Sequence, residues 1–148
     1  MANTMYYTGT QINDTAVMVF KAAEDIADVR NKIVVVTADG AKVATGAAEP
    51  FMGIGLVSHD YPAKAGDDIH VQIKEIGLVE LGAAVTVGAE VTADAEGKAV
   101  PATGGYVLGM AMSDGEAGDK IFVQIQKYKA GEAAAAEEEN TEEPEPQV

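Results

Sequence analysis

The stretch AGDDIHVQI occupies residues 65–73, and AGDKIFVQI occupies residues 117–125. Seven of the nine positions agree across an offset of 52 residues. The apolar residues alternate within the phrase. Ile69, Val71 and Ile73 fall on one face of an extended strand, with His70 and Gln72 on the other. Ile121, Val123 and Ile125 do the same against Phe122, Gln124 and Gln126. Each strand follows Ala-Gly-Asp, where Gly supplies a positive φ and Asp bonds its own downstream backbone. The shared letters therefore build a turn and a core strand. The letters that change, Asp68/Lys120 and His70/Phe122, are predicted to point outward.

The repetition extends upstream. VTADGAKVATGAAEPFMGIGLV (36–57) aligns with VTADAEGKAVPATGGYVLGMAM (91–112), each running into a small-residue apolar strand at Gly53 or Gly109. The loop before the AGD turn is SHDYPAK in the first copy and the shorter SDGE in the second. Such repetition, with loops of unequal length, marks a duplicated supersecondary unit. Two copies are too few for a solenoid. The predicted fold is all-β, a small sandwich or barrel made from two duplicated units. AVMVFK, KIVVVT, GLVEL, AEVTA, KAV and YVLGMAM are further strand runs, separated by ADG, AEG, TGG and SDG turns. Strand signals at roughly 8–12-residue spacing fit that class. IVVVTA and YVLGMAM are apolar on both faces, so they are expected to be central strands or strands covered by a neighbouring subunit. FKAAEDIADVRNK is expected to carry one helical turn around Ala23–Val29. The chain divides into an N-terminal arm (1–15), a β domain with repeats at 16–76 and 77–128, and a C-terminal tail (129–148).

A chain of 148 residues is one domain, or two small halves sharing a core. It has no Cys, which excludes disulfides and Cys-based zinc sites and favours assembly in a reducing cytoplasm. The first residues lack the basic start and apolar run of a signal peptide. The longest apolar runs are far too short to span a bilayer. The formal charge is −14, and the seven Glu of residues 130–148 supply half of it. Such acidity opposes binding to nucleic acid or to an anionic membrane. The tail combines high charge with low hydrophobicity, and Pro144 and Pro146 stop any helix, so it is expected to be disordered.

Catalytic constellations are hard to assemble from these residues. The histidines are His59 and His70, with no H-x-x-x-H or H-E-x-x-H spacing, so no metal site and no cofactor are expected. Ser58, His59 and Asp60 are neighbours in sequence, whereas triads are assembled in space from distant positions, so this triplet reads as a polar loop. Ser113, the other serine, lies in no G-x-S-x-G elbow. Asp67 and Asp119 recur at the turn and are read as structural. The protein is therefore not expected to be an enzyme. What remains is surface: Tyr6 and Tyr7 in the polar arm, and His70 and Phe122 on the variable strand face, are the interface candidates.

The order V-T/V-x-D-G turn, K-V, GIGLV, AKAGDDIHVQIKEIGLVEL, GAAVTVGAEVTADAEGKAV, YVLGMAM and EAGDKIFVQIQ resembles the capsid cement, or head decoration, proteins of tailed bacteriophages. The resemblance covers about residues 26–127 and leaves out the arm and the tail. It implies a β-rich, non-enzymatic virion protein on the capsid exterior that bridges major capsid protein subunits. It also implies a homo-oligomer, with a trimer favoured. The competing class is a host-surface or carbohydrate-binding β-module. An aromatic content of 5% without Trp weighs against a sugar platform.

Overall fold

The computed structural model of the protein describes residues 14–56 and 62–130. Ten strands among the described residues form two five-stranded sheets. The first holds β1 (Val17–Lys21), β2 (Ile33–Thr37), β3 (Gly40–Val43), β4 (Gly53–Gly55) and β5 (Asp68–Gln72). The second holds β6 (Glu75–Glu80), β7 (Glu90–Ala93), β8 (Ala99–Pro101), β9 (Tyr106–Ala111) and β10 (Lys120–Lys129). All ladders are antiparallel, and the orders β1-β5-β4-β2-β3 and β6-β10-β9-β7-β8 are one topology written twice. A parallel bridge from Ala22 to Ala41, matched by one from Leu81 to Ala99, curls each sheet toward closure.

The AGD turns superpose in detail. The Lys64 N–H donates to Asp67 Oδ2 at 2.8 Å, and the Glu116 N–H donates to Asp119 Oδ2 at 2.9 Å. Gly66 and Gly118 carry φ of 93° and 92°, a region that a Cβ disfavours. The two aspartates therefore build turns, as the repetition implies. The VTAD alignment is displaced by two residues. The ladders set Val34 opposite Gly53 and Val91 opposite Gly109, so Val34 and Val91 are the equivalent pair. The hairpins explain the slip. Thr37 faces Gly40 across a two-residue turn, whereas β7 and β8 are joined by a longer loop in which Asp94 Oδ1 accepts from the Glu96 and Lys98 N–H groups. An even slip keeps every side chain on its predicted face.

The expected helical turn at Ala23–Val29 is absent. Ile26 bridges Ala63 instead, and the carboxylates of Asp25 and Asp28 accept the backbone N–H groups of Ala65 and Arg30. Asp side chains that capture nearby backbone compete with helix formation.

The core explains why β2 is apolar on both faces. Val34 joins Ala22, Ile26, Val29, Ala41, Ala63, Ile69 and Val71 in a cluster confined to the first half. Ile33 and Val35 point the other way, with Phe51 and Ile54, into a larger cluster with Val79, Leu81, Val91, Leu108, Ile121, Val123 and Ile125. The second face of the first sheet is thus buried against the second half. Each such side chain contributes about 1.5–3 kcal/mol of burial. This packing corrects one expectation. Gln72, predicted on a polar outer face, is buried, and its Nε2 donates to the carbonyls of Lys74 at 3.0 Å and Ile76 at 2.7 Å. Gly77 is bare of a side chain where Ile54 and Ile125 close over it; a Cβ there would lie 2.7 Å from Ile54 Cδ1.

The variable strand positions form complementary pairs. Lys21 lies opposite Asp68 and bonds it at 2.7 Å, while in the second half Glu80 lies opposite Lys120. Glu80 also takes Lys32 of the first half at 2.9 Å and Lys98 at 3.6 Å. Burial opposes the charge on Glu80. The hydrogen bond and charge of Lys32, with Lys98 and Lys120, outweigh burial and hold its carboxyl below the ordinary Glu range. A carboxylate lowered in the folded state contributes stability above its unfolded pKa and loses it as pH falls through the folded one. Glu80→Gln is expected to flatten the decline in melting temperature below about pH 4.3, the ordinary Glu value. A melting series with an unchanged acid limb would remove Glu80 from that role.

Candidate functional site

The surface is best read by comparing the outer edges of β1 and β6, which occupy the same place in the two halves. The bonds from Ala22 N–H to Asp67 O and from Leu81 N–H to Asp119 O fix the alternation. Val17, Val19 and Lys21 turn their backbone groups outward on β1, as Ile76, Leu78 and Glu80 do on β6. On β6 these groups are capped by the first half. Gln72 Nε2 donates to Ile76 O, Asn31 Nδ2 donates to Leu78 O at 3.0 Å, and the Glu80 N–H donates to Asn31 O at 3.0 Å. On β1 the bridge from Ala22 to Ala41 engages the Lys21 carbonyl, but among the described residues no such cap reaches Val17, Val19 or the Lys21 N–H. Met18 is 48% exposed and Val19 50%, whereas Leu78, the counterpart of Val19, is buried.

Asn31 is the clasp between the halves. It adopts φ 63° in the turn Val29–Lys32, and Gly88 adopts φ 86° in the matching turn Thr86–Ala89. The first half keeps a side chain at this position because the amide caps Leu78. The second half has no such task and uses Gly.

A second apolar patch lies on that matching turn. Val87 is 62% exposed, and its N–H donates to Asp114 Oδ1 at 2.8 Å. Gly88 bonds Ala111, so Met112, 42% exposed, follows directly beside it. Their counterparts in the first half are Arg30, paired with Asp28 at 3.0 Å, and the buried Leu56. Met18, Val19, Val87 and Met112 are the exposed large hydrophobic residues of the described chain.

The sequence-predicted residues fare differently. His70 lies opposite Val19 and Phe122 opposite Leu78. Both are half-buried rather than outward, because each shares its face with the first strand of its own sheet. His70 Nδ1 is buried without a hydrogen-bond partner among the described residues. Tyr6, Tyr7, Ser58, His59 and Asp60 lie outside the described residues. Among those described, no group of three or more His, Asp or Glu could hold a metal ion. Among the described residues no helix is long and apolar enough to cross a membrane.

Beyond its bulge at Ile125–Tyr128, β10 ends in an aromatic group. The Tyr128 hydroxyl donates to the Glu90 carboxylate, and burial together with that contact pushes its pKa to about 12. Lys129 Nζ sits 5.5 Å from the Tyr106 ring centre. Lys127 Nζ reaches back to Met52 O of the first half at 2.8 Å, and burial lowers its pKa.

Sequence reasoning missed the caps at Asn31 and Gln72 and both apolar patches. Asn31 was findable only through Gly88, since both occupy a position that excludes most side chains, but the loops between repeats hide that alignment.

Comparison with known proteins agrees with this geometry. The family described as phage cement protein matches residues 11–126, reaching further toward the N-terminus than the resemblance in the sequence. No curated protein matches the chain. Among solved structures, the head fiber gp8.5 N base of bacteriophage phi29 is similar in fold, with a TM-score of 0.53 at 18% identity. That match covers 77% of this chain and 96% of the other.

Proposed function

The chain belongs to the phage cement protein family, and from that premise we propose that it binds the outside of the phage head and stabilises contacts between major capsid protein subunits. The family match across residues 11–126 carries this reading and makes the chain a phage virion structural protein. The shape of the molecule supports the finer part. Two antiparallel sheets are joined through one shared apolar cluster, and apolar residues stand exposed on the surface at two separate places. A protein of this kind acts by removing apolar area from water at the joints of a shell, at roughly 25 cal/mol per Å². Stable contacts of that type bury about 1,200–2,000 Å². Repeated over a closed shell, modest energies per copy add to strong resistance to internal pressure.

Tyr6 and Tyr7 are proposed capsid contacts, as Tyr suits an interface with one wet end and one apolar end. His70 and Phe122 are half-buried and serve instead to shape the surface beneath β1 and β6. The test is co-sedimentation of the purified chain with expanded heads that lack it. Saturable binding at a fixed ratio to the major capsid protein is the expected result, and no binding overturns the proposal. Deleting residues 1–15 is expected to weaken binding at least tenfold. Undiminished binding of the deletion would assign the arm another role.

A further inference from the structure

We propose that the protein associates with itself head to tail, the turn Thr86–Ala89 and strand β10 of one copy capping the bare edge of β1 in the next. The joint inside the chain supplies the template. There the turn Val29–Lys32 and Gln72 of the first half cap β6 of the second. The second half carries the same turn, and Gln124 stands where Gln72 stands, but these groups face solvent. The first half carries β1 where the second carries β6, and among the described residues nothing caps that edge at Val17, Val19 or the Lys21 N–H, with Met18 and Val19 exposed. Each copy thus ends in one half of a joint at one side and the complementary half at the other.

The residues at the two free ends complement one another. Gln124 is exposed and occupies the position from which Gln72 donates to Ile76 O, so its amide meets Val17 O. The carbonyl of Gly88 takes the Lys21 N–H, as Asn31 O takes that of Glu80. Val87 and Val19, the exposed residues at 62% and 50%, are brought face to face. Met18 and Met110 supply flexible side chains where Gly77 and Ile54 interlock inside the chain. A contact between unlike surfaces propagates, and it closes into a ring when its rotation divides a full turn.

The test uses two full-length variants, each blocked at one surface: Val19→Asp on β1 and Val87→Asp on the turn. Both positions are exposed, so each variant is expected to melt within a few degrees of the parent. By light scattering the parent is expected at a multiple of 15.3 kDa, and each variant alone at the monomer mass. Mixed in equal amounts, the variants are expected to give a species of twice that mass, because one intact surface remains on each. Three results would overturn the proposal: a monomeric parent, a Val87→Asp variant that still assembles, or a mixture that stays monomeric. Persistence of Val87→Asp assembly would indicate edge-to-edge pairing of β1 with β1. The measurement needs no phage heads, so it stands apart from head binding.

Discussion

Gly109→Ala is expected to leave no cooperatively folded protein. Gly109 lies on β9, between β10 and β7, with the Gln124 carbonyl packed directly over its Cα. An added Cβ would overlap that carbonyl oxygen and sit 2.8 Å from its carbon. The obstacle is backbone of the neighbouring strand, so no rotamer change relieves it. Overpacking a core side chain typically costs about 1–3 kcal/mol. Displacing a central strand exceeds that range and takes most of the roughly 5–15 kcal/mol that holds a domain folded. Gly53→Ala, which meets the Gln72 backbone in the same way, is expected to behave alike. The measurement is soluble yield followed by urea unfolding. A Gly109→Ala protein with the parent's midpoint would show that the strands can part at no cost.

Asn31 gives the second large effect and separates two contributions. The residue is almost fully buried, and its amide is the cap of Leu78 O at 3.0 Å. Asn31→Gly keeps the positive φ comfortable and removes the cap, leaving a buried carbonyl unsatisfied at about 1–3 kcal/mol. Asn31→Ala adds the left-handed penalty of about 1–2 kcal/mol. The order of stability is therefore parent, then Gly, then Ala, read from urea midpoints at constant m. Equal midpoints for parent and Asn31→Gly would show that the halves do not depend on this clasp.

Much of the fold was legible because the chain states it twice. The alternation in DIHVQI and KIFVQI gave β5 and β10, and the AGD turns behave as their letters imply. IVVVT and YVLGMA proved to be interior strands, as their two-faced hydrophobicity requires. What the letters did not carry was how one half sits on the other. Gln72 and Gln124 read identically, yet one is buried and the other exposed, because the first sheet has its second face packed against the second half. The helical turn at Ala23–Val29 failed because Asp25 and Asp28 bind backbone rather than extend a periodic face. The surface patches escaped notice for a similar reason. Val19 and Leu78 are both apolar strand residues, and only their neighbours decide which one meets water.

The reversed pair Lys21–Asp68 and Glu80–Lys120 bears on how such a chain finds its own fold. Two units with one topology could exchange strands during folding, within a chain or between newly made chains. If β1 paired with β10, Lys21 would face Lys120; if β6 paired with β5, Glu80 would face Asp68. Like charges directly opposite on neighbouring strands are destabilising, whereas the native pairings unite opposite charges. The reversal gives each first strand an address that only its own last strand answers, and so guards a duplicated sequence against the misassembly to which repeats are prone.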